Sequence, residues 1–194
     1  MSSLGETLKG TSISSDPVKS LAIEKLKRIL GDKGFTDDGN EMTPFLTEWR
    51  GFYSGDALLI VFPENVQMVS SIIKICAEAD ISIVPQGGNT SMCGGAVPSS
   101  DGNSIVLSMS KMNNILSIDT TNYTMTVEAG CILQNIQEAA EAEDRYFPLS
   151  LAAEGSCMIG GNLATNAGGT NVLRYGNARE LVLGLEVVLP DGRI

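Results

Sequence analysis

The sequence predicts a mixed α/β (α+β) fold, and three observations carry the prediction. Residues 57–62 (ALLIVF) are an apolar run that stops at Pro63; an amphipathic stretch follows with Val66, Val69, Ile72, Ile73, Cys76 and Ala77 on one face, and residues 81–85 (ISIVP) are apolar again. Such a strand, helix, strand unit of about 30 residues usually sets its strands parallel, with a right-handed crossover. Residues 115–119 (ILSID) and the alternating residues 123–130 (YTMTVEAG) flank the turn DTTN, so a hairpin is expected after the parallel unit. Two glycine-rich segments, 85–95 (PQGGNTSMCGG) and 154–177 (EGSCMIGGNLATNAGGTNVLRYGN), each follow an apolar run. The first lies just beyond the second strand of the unit, where open α/β sheets place their ligands.

Taken from the start, residues 1–17 are small and polar and read as a flexible tail. Val18, Leu21, Ala22, Leu26 and Ile29 then recur at helical spacing, with Asp16 or Ser15 as cap, Pro17 in the first turn, and Gly31 and Gly34 as the stop. A surface helix packed on the main body is expected. Beyond the first unit, residues 104–109 (SIVLSM) read as a strand. Residues 131–143 read as a helix with Ile132, Leu133, Ile136, Ala139 and Ala140 inward, and with Glu138, Glu141 and Glu143 on a solvated face. Residues 181–189 (LVLGLEVVL) read as a final strand that runs into the turn LPDGR. Only Ile194 follows that turn, so the chain is expected to be the front part of a longer protein.

Composition narrows the chemistry. The 194 residues carry 13 Lys plus Arg against 23 Asp plus Glu, a formal charge of −10, and the imbalance falls on the region after position 34. So acidic a body repels phosphate backbones, which excludes nucleic acid as a natural partner. An anionic ligand would have to be held by backbone N–H groups and helix N-termini rather than by a cluster of cations. The sequence contains no histidine, which removes Ser-His-Asp and Cys-His catalysis and histidine metal sites together. Cys76, Cys93, Cys131 and Cys157 form no CxxC, and buried free thiols in a reducing compartment are expected. No run of about 18 apolar residues suggests a membrane span. The first residues, MSSLGETLKG, lack the pattern of a signal peptide, so a cytoplasmic location is expected.

The glycine segments hold the functional signal. Glycines allow positive φ and close backbone approach, and Asn, Thr and Ser among them add donors. GGNTSMCGG lacks the lysine of a GxxxxGK[ST] loop, and GxGxxG follows none of the expected strands. A non-Rossmann nucleotide site made from two distant loops remains. Arg50 and Arg174 are weaker candidates for an anion; Trp49 is expected to be a packing residue.

PQGGNTSMCGG, the segment FPLSLAAEGSCMIGGNLATNAGGTNVLRYGNARELVLGLEVVLPDGR (147–193) and LTEWRGFYSGDALLIVFPEN (46–65) together resemble the FAD-binding region of the vanillyl-alcohol-oxidase (PCMH-type) flavoproteins. Within that family the sequence is most similar to the D-2-hydroxyglutarate, D-lactate and glycolate dehydrogenases. The resemblance runs over about residues 20–194. A reductase of the UDP-sugar type shares the fold class, but LRYGN and AEGSCMIGGN favour the hydroxy-acid group.

The resemblance implies two α/β subdomains that clasp FAD, at residues 46–112 and 113–194, after an N-terminal tail and helix at 1–45; the second subdomain would be incomplete at its C-terminus. Pro85, Gln86, Gly87, Gly88, Asn89, Thr90 and Ser91 would wrap the pyrophosphate. Pro148, Leu149, Gly155, Ser156, Ile159, Gly160, Gly161, Thr165 and Gly169 would line the flavin and its ribityl chain, with Val187 near the adenine. Some relatives attach FAD through a histidine, which this sequence lacks; Cys157 does not match the spacing of a cysteinyl link, so non-covalent FAD is expected.

In the resembling enzymes a D-2-hydroxy acid gives hydride from its α-carbon to FAD, and the electrons pass to a quinone, a cytochrome or an electron-transfer flavoprotein. The base, the carboxylate-binding arginines and a divalent metal belong to a later substrate domain, so the catalytic residues are expected there. The location would be mitochondrial in a eukaryote. The other expectation to weigh is a non-catalytic FAD- or nucleotide-binding subunit that needs a partner for the substrate domain.

Overall fold

A computed structural model describes residues 16–194, so the expected tail at 1–15 lies outside the described residues. Helix α1 spans Pro17–Leu30. The Asp16 carboxylate accepts the Val18 N–H, Pro17 takes the first turn, and Gly31 ends the helix at φ 67°. Strand β1 (Phe35–Thr36) leads into helix α2 (Gly39–Leu46), which periodicity does not predict because the segment contains Gly39 and Pro44. Its signal is the capping pattern: Asp38 accepts the N–H groups of Asn40 and Glu41, and Glu41 stands three residues after the cap.

Strand β2 (Leu59–Val61), helix α3 (Val66–Glu78, capped by Asn65) and strand β3 (Ser82–Gln86) form the expected unit, and strand β4 (Ser104–Ser108) follows. The sheet order is β1-β2-β4-β3. Strand β4 sits between β2 and β3 and is parallel to both, while β1 is antiparallel to β2. Because β3 is an edge strand, Pro85 is accommodated without a broken ladder. The period of two divides the core. Leu59, Val61, Ile105 and Leu107 pack on Leu26, Ile72 and Cys76 of α1 and α3, whereas Ile60 and Val106 face Met42 beneath α2.

A second core forms beyond the sheet. Strands β5 (Ile115–Asp119) and β6 (Thr124–Val127) make the expected antiparallel hairpin, with a register irregularity near Ile115. Helix α4 (Leu133–Ala142) packs Leu133 and Ile136 against Leu149, Cys157 and Ile159. Short helices α5 (Ile159–Ala164) and α6 (Val172–Tyr175) and a 3-10 turn (Ala178–Leu181) complete it.

Two expectations are corrected. Residues 182–189 form no strand, because no other described strand lies beside them to supply a ladder; Leu183 and Leu185 are 85% and 66% exposed. The turn LPDGR is closed by the Leu189 N–H on the Arg193 carbonyl (2.8 Å), and the Gly192 carbonyl accepts the Ser70 hydroxyl of α3. Finally, Val18 and Leu21 of α1 are more than half exposed, and Ala22 and Leu26 alone of that helix are buried. Among the described residues no helix is long and apolar enough to cross a membrane.

Candidate functional site

The first glycine segment leaves the C-terminal end of β3 and the second leads into α5; the fold brings them into contact. A Cβ on Gly88 would stand 1.9 Å from the Ser156 carbonyl oxygen, and one on Gly87 would stand 3.2 Å from Cβ of Met158. Glycine is therefore required at position 88, where the two loops cross. Neither the N–H of Gly87 nor any N–H through Met92 donates to a protein acceptor among the described residues; the series ends at Cys93, whose N–H meets the Ser91 hydroxyl at 3.2 Å. Six consecutive free donors beside a glycine crossing suit an anion with several oxygens.

The side chains of Gln86 and Asn89 are committed elsewhere. Gln86, 2% exposed, donates through Nε2 to the carbonyls of Phe45 (2.9 Å) and Ala96 (2.7 Å). Asn89, at φ 50°, donates through Nδ2 to the carbonyls of Pro44 (3.2 Å) and Thr47 (2.9 Å), and its Oδ1 is buried without a partner. Pro85 is exposed on the sheet edge; Thr90 and Ser91 are half-buried.

In the second segment the expected residues divide. Gly155 and Ser156 are exposed at the crossing, and Gly161 is open, with no atom within 4 Å of a built Cβ. Gly160 packs on Ala129, and Gly169, at φ 86°, packs on the Ser150 carbonyl, so both serve the approach of one chain segment to another. The Thr165 hydroxyl bonds the Gly161 carbonyl at 3.0 Å. Leu149 and Ile159 are 2% and 6% exposed, with their side chains packed in the second core. The Pro148 carbonyl accepts from Asn171. Val187 is half-exposed in the unpaired final segment, next to Val188, which packs against the first core.

Periodicity gives no warning of the segment 47–55. The Glu48 side chain is fully buried and accepts the N–H groups of Arg50 (3.0 Å) and Phe52 (3.0 Å) and Nε of Arg50 (3.3 Å). Burial pushes its pKa up, but those hydrogen bonds and the arginine charge outweigh it and hold the carboxyl below its ordinary value. Arg50 reaches across to donate to the Met92 carbonyl of the first glycine loop. Trp49, expected to pack, is 66% exposed, with the Arg50 guanidinium 5.8 Å from its ring. Asn162, 7% exposed with an unpartnered Oδ1, is a further buried polar group beside the second loop.

Three thiols are buried as expected. Desolvation pushes Cys76 up to about 12 and also raises Cys131 and Cys157, which makes them poor nucleophiles. Cys93 is exposed, contrary to expectation, because it lies on the outer turn of the first glycine loop.

Residues 57–194 match the family model described as an FAD binding domain. The chain belongs to that family. D-2-hydroxyglutarate dehydrogenase of Arabidopsis thaliana is 40% identical over 172 residues, covering 89% of this chain and 30% of that protein. The Danio rerio protein of the same name is 44% identical over 147 residues (76% and 27%), and the D-2-hydroxyglutarate–pyruvate transhydrogenase of Saccharomyces cerevisiae is 41% identical over 154 (79% and 31%). The chain thus spans about 30% of the length of these relatives. Among solved structures, p-cresol methylhydroxylase superposes with a TM-score of 0.77 at 23% identity, covering 94% of this chain and 35% of that one. Alkyldihydroxyacetonephosphate synthase superposes with a TM-score of 0.74 at 21% identity (88% and 34%). The fold is that of the PCMH-type FAD-binding proteins, and the cofactor of this domain is FAD.

Proposed function

We propose that the chain is the FAD-holding portion of a flavin-dependent D-2-hydroxy acid dehydrogenase. The crossing of Gly88 over Ser156, with free N–H groups on residues 87–92, carries the reading: it supplies an anion cradle without lysines in a chain of net charge −10. Bound FAD supplies two-electron redox chemistry at its ring system. The chain's residues bind and orient: the 87–92 donors hold the pyrophosphate, with Thr90 and Ser91 adding hydroxyls, and Gly155, Ser156 and Gly161 leave room for the flavin and its ribityl chain. The division near residue 112 is supported by separate cores on its two sides, although Ala22, Leu26 and Met42 from before residue 46 pack into the first unit and the turn at 189–193 packs back on α3.

The relatives named for D-2-hydroxyglutarate favour that acid among D-2-hydroxy acids, with D-lactate and glycolate as the other members of the class. The base, any divalent metal and the contact with a quinone, cytochrome or electron-transfer flavoprotein are assigned to sequence outside this segment, which spans about 30% of the length of its relatives. The mitochondrial address in the Arabidopsis and Danio names supports that compartment for a eukaryotic source. Attachment is non-covalent, because the sequence has no histidine and Cys157 is 2% exposed inside the second core.

The test is the visible spectrum of the full-length protein that carries these residues. Flavin bands are expected; they bleach anaerobically with one of D-2-hydroxyglutarate, D-lactate or glycolate, and acid precipitation releases the flavin to the supernatant. Bands that none of the three acids bleaches would contradict the substrate class, and flavin retained in the pellet would contradict non-covalent binding.

A further inference from the structure

We propose that the segment 39–55, which lies upstream of the region matched by the family model, is a positioning element of the FAD site, acting through hydrogen bonds from Gln86, Asn89 and Arg50. The inference rests on the assignment of residues 87–92 to the pyrophosphate. A helix leaves its last four carbonyls without partners, and α2 ends at Leu46 with its final turn beneath the first glycine loop. The loop and the turn after α2 satisfy that end. Gln86 Nε2 takes the Phe45 carbonyl at 2.9 Å, Asn89 Nδ2 takes those of Pro44 and Thr47 at 3.2 and 2.9 Å, and the Gly55 N–H takes that of Leu46 at 3.0 Å.

The other side of the loop is held by the turn after α2. Buried Glu48 fixes this turn by accepting the N–H groups of Arg50 and Phe52, and it orients the Arg50 guanidinium, which donates to the Met92 carbonyl. Tyr53 packs its ring under Gly94, where a Cβ would stand 2.8 Å from the ring. The two amide side chains nearest the free N–H groups are thus spent on α2, and Asn89 is held at a positive φ. Gln86, Asn89 and Arg50 are positioning residues: they shape a backbone cradle whose donors do the binding.

FAD affinity of the apo full-length protein, read by quenching of flavin fluorescence, tests this alongside the urea midpoint of each variant. Arg50→Ala is expected to weaken FAD roughly tenfold or more with an unchanged midpoint, and Arg50→Lys, which can meet one partner of two, to recover part of the loss. Glu48→Gln should act in the same direction as Arg50→Ala. Parent-like affinity in Arg50→Ala and Glu48→Gln, while Gly88→Ala loses FAD, overturns the inference and leaves the loop assignment standing. Parent-like affinity in all three overturns both. A fall in the midpoint that accounts for the lost affinity, with no recovery in Arg50→Lys, overturns the positioning role in favour of general stability.

Discussion

Gly88→Ala is expected to abolish retention of FAD through purification. The added methyl would sit 1.9 Å from the Ser156 carbonyl oxygen, 2.9 Å from its carbon and 3.1 Å from Cα of Cys157. All three are backbone atoms, so no rotamer change relieves the contact and the loops must separate. Overpacking of this kind costs about 1–3 kcal/mol, and here it moves the donors of residues 87–92 relative to the second loop. Gly184→Ala is the matched comparison: it lies outside both glycine loops and its Cβ meets no atom within 4 Å, so fold and cofactor site both tolerate it. The flavin-to-protein absorbance ratio and the thermal midpoint of the two variants check the contrast.

Leu59→Ala is expected to be the most damaging single truncation for stability. Leu59 is fully buried in the middle of the parallel sheet, opposite Ile105 in register, and packs in the core shared by α1 and α3. Leucine-to-alanine changes at such sites cost about 2–5 kcal/mol, because the cavity left behind closes only partly. For a chain of this size that lowers the thermal midpoint by about 10 °C. Leu116→Ala, at a site 60% exposed on β5, should change stability by less than about 0.5 kcal/mol. Paired urea titrations of the two variants give the comparison.

These two sites also mark what the sequence made legible. The strand around Leu59, the α3 face and the β5-β6 hairpin are visible because burial on one side imposes a period of 3.6 or 2 on the residues themselves. Helix α2 is hidden from that signal by Gly39 and Pro44, though its Asp38 cap and Glu41 are written in the sequence. Residues 182–189 have the alternation of a strand, yet a strand exists only when a neighbour completes its ladder, which no periodicity records. The two glycine loops stand out in the sequence, and the fold brings them into contact. The contacts of Gln86 and Asn89 are not legible there, because they depend on carbonyls at the end of a helix 41 and 42 residues earlier. Leu149 and Ile159 stand beside the second loop in sequence, and hydrophobic burial places their side chains in the second core.

Amide hydrogen exchange of the full-length protein, with and without FAD, addresses the central claim most directly. The free N–H groups of residues 87–92 should exchange quickly in the apo protein and become protected when FAD binds, together with residues 155–161, while β4 stays protected in both states. Saturating FAD that leaves 87–92 as exposed as before, with protection appearing elsewhere, would contradict the assignment of the glycine crossing as the FAD cradle.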